Sequence, residues 1–333
     1  MSSINTNTSA MNALATLRNV NSSLNQTQDR ISTGLKVSSG KDNASYFAIS
    51  ETMKGDSGMT KAVNESLTLT KNSVATARVG AEQFSDLATD FREKIAFAQN
   101  NQDDFGKIED ELKNLVSEMK TTLSQATFNG DDLINAGGAG YQAADPTTDE
   151  VYAAMDDAGT ITYHEKAIGT GRAGTDGAFA GTPTYGKENV SREVITGVSR
   201  SSGSFSTTSI KVDGADLYSA MMEFDAIAET FATNAGTGGA AFLEAALTTA
   251  DKNVAHLVSE ETKLGLAEKS IENQQNFLTK LADNLDAGVG AMVDANMEEE
   301  AARLQALQVQ QQLASQSLSI ANQAPQNILS LFR

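Results

Sequence analysis

Along the last third of the chain, apolar residues recur every seven positions: Ala250, Leu257, Leu264, Ile271, Leu278, Leu285 and Met292. A repeat held over that length predicts one long helix packed as a coiled coil. The companion seam is mixed, with Val254, Glu261, Glu268, Gln275, Ala282 and Val289. Such a seam predicts an irregular bundle rather than a two-stranded zipper. Near the front, Ile108, Leu112, Leu115, Val116, Met119 and Leu123 form one face of a helix of about six turns. It ends at the turn signal Phe128-Asn129-Gly130. Before it, Phe84, Leu87, Phe91 and Ile95 continue a stripe through Leu67 and Val74. This predicts a helix over 44–99, roughly 80 Å long at 1.5 Å per residue. The run from Asn100 to Asp104 separates the two. A rod of that length needs rods as partners, and 107–128 and 250–292 supply them.

Breakers sit elsewhere. Residues 137–239 hold 16 of the 26 Gly, two of the three Pro and five of the six Tyr. That segment reads as short strands and turns, while the flanks read as long helices. The expected class is mainly α. Long terminal coiled-coil helices and a helical rod bundle come from both chain ends, and the centre forms a small outer domain of β or α+β character.

The two ends carry no charge over 1–17 and 304–332. One stripe contains Leu14, Leu17, Leu24 and Ile31, the other Leu304, Leu307, Ala314, Leu318 and Ala321. Leu313, Ile320, Ile328, Leu329, Leu331 and Phe332 fall outside the second stripe. Two such helices bury too little to offset an ordering entropy of ~1–2 kcal/mol per backbone residue. They are expected to be poorly ordered alone and helical when packed against copies of themselves. The candidate assembly interface is therefore Leu14, Leu17, Leu24, Ile31, Leu35, Leu304, Leu307, Leu318, Ile328, Leu331 and Phe332. Gly34 reads equally as a helix end or as a flexible joint. Glu298-Glu299-Glu300 reads as a solvated joint where the heptad phase breaks.

Composition narrows the chemistry. The chain has 333 residues and no Cys, which removes disulfides, thiolate metal sites and cysteine nucleophiles. Its two histidines, His164 and His256, cannot form a multi-histidine site within one chain. His256 reads as a packing residue on a helix and His164 as an exposed strand or loop residue. A net charge of −18 argues against nucleic acid and against anionic membrane surfaces. No apolar run approaches the roughly 20 residues of a membrane span. Met1 to Asn12 lack basic and apolar signal-peptide regions, so no cleaved signal peptide is expected. Carboxylates scatter over helix faces, and no phosphate loop or catalytic triad stands out, so neither an enzyme nor a cofactor is expected.

The runs Ile4-Asn5-Thr6-Asn7, Arg30-Ile31-Ser32-Thr33-Gly34-Leu35 and Phe128-Asn129-Gly130 resemble bacterial flagellin. So does the ending from Ala321 through Pro325 to Phe332. The resemblance covers about 135 N-terminal and 90 C-terminal residues. The segment from Lys41 to Ser50, with Tyr46 and Phe47, is most similar to the flagellins of alphaproteobacteria. The resemblance implies a structural subunit that polymerises with itself into the flagellar filament for swimming. It implies an inner tube, D0, from 1–43 and 294–333, a rod domain, D1, from 44–136 and 240–293, and 137–239 projecting outward. It implies an extracellular destination, passage through the flagellar export apparatus with an export chaperone, and contact with filament cap and junction proteins. Alternatives are a flagellar hook–filament junction protein, which shares such terminal coiled coils, and an adhesin built on a filament stalk.

Two further sets of residues follow from the resemblance. Asp90, Arg92, Glu93, Lys94 and Glu111 lie where many flagellins are read by an innate Toll-like receptor. Arg92, Glu93 and Glu111 match that pattern, whereas Asp90 replaces an Arg and Lys94 a Leu, so weak receptor activation is expected. Ser204, Ser206 and Thr207 lie in a Ser/Thr-rich stretch that in related filaments carries O-linked glycans.

Overall fold

The structure is a computed structural model, and it describes residues 7–135, 149–167, 177–178, 191–201 and 204–331. In chain order the elements are α1 (Thr8–Thr33), α2 (Ala44–Ala98), a 3-10 turn (Gln102–Asp104), α3 (Phe105–Gln125), β1 (Asp149–Met155), β2 (Ile161–Ala167), β3 (Gly177–Ala178), β4 (Ser191–Ser201), β5 (Ser204–Asp213), α4 (Tyr218–Glu229), α5 (Phe231–Val293) and α6 (Met297–Leu331). The chain divides into two compact units, Met1–Met59 with Lys280–Arg333, and Thr60–Thr279.

The first unit joins the two chain ends. The side chain of Asn7 accepts from the Ala10 amide and caps α1. Gly34 closes the helix at φ +74°, donating its N–H to the Arg30 carbonyl at 2.9 Å. That left-handed geometry is open to glycine without the Cβ penalty. Gly34 is therefore a helix end. From there the backbone runs against the α5–α6 break: Lys36 N donates to the Val293 carbonyl at 2.6 Å, and Ala295 N to the Gly34 carbonyl at 2.8 Å. Val37, Val289 and Val293 form a small apolar core there, with Leu35, Phe47, Met53 and Met292 packed around it. Asp42 accepts from the amides and hydroxyls of Ser38 and Ser39. Those bonds, led by the Ser38 amide, hold its carboxyl below the ordinary carboxylate value.

The second unit is a helical bundle carrying two small antiparallel sheets, β1-β2-β3 and β4-β5. The predicted stripes form its core: Leu67, Val74, Phe84, Phe91 and Ile95 from α2, and Ile108, Leu112, Val116, Met119 and Leu123 from α3. The Phe91 ring meets Phe224 of α4 edge-on, with centroids 4.8 Å apart. The Phe128-Asn129-Gly130 signal is a two-residue turn with both central φ angles positive, closed by Phe128 and Asp131 bonding reciprocally.

Two expectations need correction. Among the described residues of the middle segment the strands lie within 149–213, and 218–229 and 231–239 are helical. The Gly236-Thr237-Gly238-Gly239 run at the end of that segment forms a kink within α5, centred on Gly239 at φ 54°, ψ −134°. The β1–β2 turn explains it. A Cβ on Gly238 would lie 2.1 Å from the Asp157 carbonyl oxygen, so the hairpin backbone reaches the helix only where no side chain stands.

The heptad seam also changes partway. Ala250, Leu257, Leu264, Ile271 and Leu278 are buried, but Leu285 and Met292 are only half-buried. Burial passes to Ala282, Val289 and Val293. A straight helix drifts ~20° per strict heptad, so four heptads accumulate about 80°. The four-residue step from Leu278 to Ala282 recovers about 40° of that drift. The polar members of the companion seam have partners before the change: Glu268 pairs with Arg78 at 2.8 Å, and Gln275 donates to Thr68 at 2.8 Å.

Candidate assembly interface

Helices α1 and α6 pair antiparallel along their lengths. Asn7 Nδ2 donates to the Ala321 carbonyl at 2.8 Å, Gln311 Nε2 to Asn21 Oδ1 at 2.7 Å, and Arg30 pairs with Glu300 at 3.1 Å. The contact is thin in large side chains. Val20, Leu24 and Thr27 of α1 and Ala314 of α6 are buried, while Leu17, Ile31, Leu304, Leu307 and Leu318 are half-buried. Leu14 is exposed on the edge of the stripe. Leu35 lies beyond α1, half-buried in the joint and bridged to Asp294. Ile328 and Leu331 fall in the last turns of α6, and Phe332 lies outside the described residues.

The joint differs from expectation. Glu298 and Glu299 are exposed in the first turn of α6, where a helix dipole favours anions. Glu300 is not solvated. It is 6% exposed and lies between Arg30 and Arg303. A carboxylate buried to that degree needs such partners. Position alone placed it with its exposed neighbours, and the Arg30 partner, 270 residues away, carries no local signal.

Leu313 and Ile320 were read as lying outside the α6 stripe, and the structure adds Val309 to them. All three are more than half exposed. At 100° per residue they cluster within about 40° of one another and lie opposite Leu304. Helix α6 therefore has two apolar faces, one against α1 and one in solvent. Met11 of α1 is 63% exposed as well. This second stripe is legible in the sequence as Val309, Leu313 and Ile320, out of phase with the first.

The receptor-type residues divide into two groups. Asp90, Glu93, Lys94 and Glu111 surround one shallow hollow with Asn114 and Leu115, and Lys94 pairs with Glu111 at 2.6 Å. Arg92 turns instead toward Leu247 and Thr248 of α5 and pairs with Asp251 at 3.0 Å. Ser204 begins β5, and Ser206 and Thr207 are exposed on it. His164 stacks on Tyr152 in the β1–β2 hairpin. His256 is half-buried, with its Nε2 3.1 Å from the Asp216 carbonyl oxygen. Among the described residues no group of three potential ligands could hold a metal ion, and no helix is long and apolar enough to cross a membrane.

Paired terminal helices, one of them with a second apolar face left in solvent, are the pattern of a structural subunit that packs against other protein. Residues 4–138 match the family profile described as the bacterial flagellin N-terminal helical region, and residues 247–332 match the flagellin C-terminal helical region. The chain belongs to the bacterial flagellin family. It is 35% identical to a flagellin of Brucella melitensis biotype 1 over 334 residues, covering 100% of both chains. It is 32% identical to flagellin A of Rhizobium meliloti over 400 residues, again covering both in full. It is 30% identical to a flagellin of Bartonella bacilliformis over 94% of this chain and 95% of that one. All three organisms are alphaproteobacteria, in agreement with the Lys41–Ser50 pattern. The crystal structure of Bacillus cereus FlgL superposes with a TM-score of 0.33 at 14% identity, over 74% of this chain and 100% of that one, and carries no weight here. The protein is a structural subunit of the flagellar filament.

Proposed function

We propose that polymerisation runs through α1 and α6, and that these helices gain their full order only when packed against other copies. The observation that carries this is the second apolar face of α6, where Val309, Leu313 and Ile320 stand in solvent away from α1. Burying side chains of this kind is worth about 1.5–3 kcal/mol each. A neighbouring subunit supplies the cover. In this reading 1–43 and 294–333 build the inner tube, 44–136 and 240–293 the rod around it, and 137–239 the outer surface. Leu14, Leu17, Leu24, Ile31, Leu35, Leu304, Leu307, Leu318, Ile328, Leu331 and Phe332 serve contacts within and between subunits. The subunit leaves the cell through the flagellar export apparatus, escorted by a chaperone, and is added beneath the filament cap.

The test is seeded growth on short filament fragments, watched by electron microscopy, for the full chain and for a chain ending at residue 303. The full chain extends the seeds and the truncated chain stays soluble. Filaments of normal yield from the truncated chain overturn the assignment. The receptor-type residues support weak activation of the innate receptor, because Lys94 and Arg92 are held in ion pairs within the chain. Ser206 and Thr207, exposed on β5, and Ser204 are the proposed glycan acceptors.

A further inference from the structure

We propose that Met11 is an oxidation site that controls assembly: a peroxide converts it to the sulfoxide in the free subunit, the oxidised subunit no longer joins a filament, and the filament shields the same residue. This rests on the assembly reading above. The chain has no Cys, so methionine is its only sulfur. The methionines among the described residues differ sharply in exposure. Met119, Met155, Met221 and Met222 are core residues, 6% exposed or less, whereas Met11 is 63% and Met297 46% exposed. Oxidation follows exposure, so of the described methionines these two react first.

Their settings differ. Met297 stands at the start of α6, beside Glu298 and Glu299, which are also exposed. Met11 lies about 180° around α1 from Val20, one of the buried residues of that helix. Together with Leu14 and Ala15 it forms an outward apolar patch at i, i+3 and i+4, with no charge before Arg18. Thr8 and Arg18 border the patch, and a second copy of the chain is the occupant that the filament role supplies. Thioether side chains suit such contacts because they are flexible and apolar. In the reaction the sulfur lone pair attacks one peroxide oxygen. The O–O bond breaks, an S–O bond forms, and the second oxygen leaves as water after proton transfer. Sulfur is oxidised by two electrons and the peroxide is reduced by two. The product carries a strong acceptor dipole that loses its water on burial.

The experiment treats full-length subunits with hydrogen peroxide, maps added oxygen by peptide mass spectrometry, and follows seeded elongation. Met11 and Met297 should oxidise about ten-fold faster than the four core methionines. Elongation should fall about ten-fold as Met11 converts. M11L subunits, compared with their own untreated rate, should lose little, and M297L subunits should remain as sensitive as the parent. In assembled filaments Met11 should oxidise about ten-fold more slowly than in free subunits. Equal Met11 oxidation in filament and subunit overturns the proposal, as does normal elongation by oxidised subunits or equal sensitivity of M11L. Failure of the untreated full chain to extend seeds overturns the assembly reading itself, and the oxidation control with it.

Discussion

At the scale of single residues, the receptor-type positions show how intrachain pairing changes what a surface offers. Glu111 matches the family pattern, yet it is tied to Lys94, the residue that departs from it. An exposed pair of this kind adds only ~0.2–1 kcal/mol to the fold, so removing it does little to stability. It does occupy the carboxylate and puts a solvated cation where the pattern has an apolar anchor. The double change Asp90→Arg with Lys94→Leu is expected to raise receptor signalling by roughly ten-fold, the effect of restoring one interface anchor. A cell reporter assay checks it, and a parent response already equal to that of strongly stimulatory flagellins overturns the weak-activation reading. The departures at Asp90 and Lys94 were legible from the sequence. The separation of Arg92 onto the α5 side was not, because Asp251 lies 159 positions away.

At the scale of elements, the helices were the most legible part. The stripes from Leu67 to Ile95 and from Ile108 to Leu123 are buried, and the break at Asn100–Asp104 falls between α2 and α3. Periodicity reports such faces directly because one side of each helix meets a continuous core. It failed where partners change or where glycine has a different task. The seam switch after Leu278 is a packing event that a seven-residue count cannot see, and the glycines at 236–239 mark a close approach rather than a loop. The same limit hid Glu300. Its pairing with Arg30 joins the start of α6 to the end of α1, and the prediction belongs to that pair of helices. Arg30→Gln leaves Glu300 buried with only Arg303 beside it and is expected to weaken the α1–α6 pairing. The cost is about 2 kcal/mol, below the range for a fully buried pair because Arg30 is partly exposed. Faster amide hydrogen exchange in α1 and in the first turns of α6 measures it, and unchanged exchange in both sinks the claim.

For the whole molecule, charge and contact are segregated along the sequence. The chain carries −18, yet 1–17 and 304–332 carry no charge. On the proposed assembly through α1 and α6, approaching subunits repel through their bulk and adhere through their ends. Added salt shortens the range of repulsion, with a Debye length of about 10 Å at 0.1 M against about 30 Å at 0.01 M. It leaves apolar contacts in place. Seeded elongation is therefore expected to speed up several-fold between about 0.01 and 0.15 M sodium chloride. Light scattering follows it, and a rate that falls with salt would show that ion pairs between subunits, not the uncharged ends, dominate.

The contact between Asn7 and Ala321 has a practical consequence for anyone labelling this filament. Positions 314 residues apart in sequence share one address, so a fluorophore attached at residue 7 and one attached at residue 321 report from the same place. Moving a disruptive label from one of these positions to the other should bring no relief. The exposed strand surface around Ser206 and Thr207 is the better place for foreign sequence.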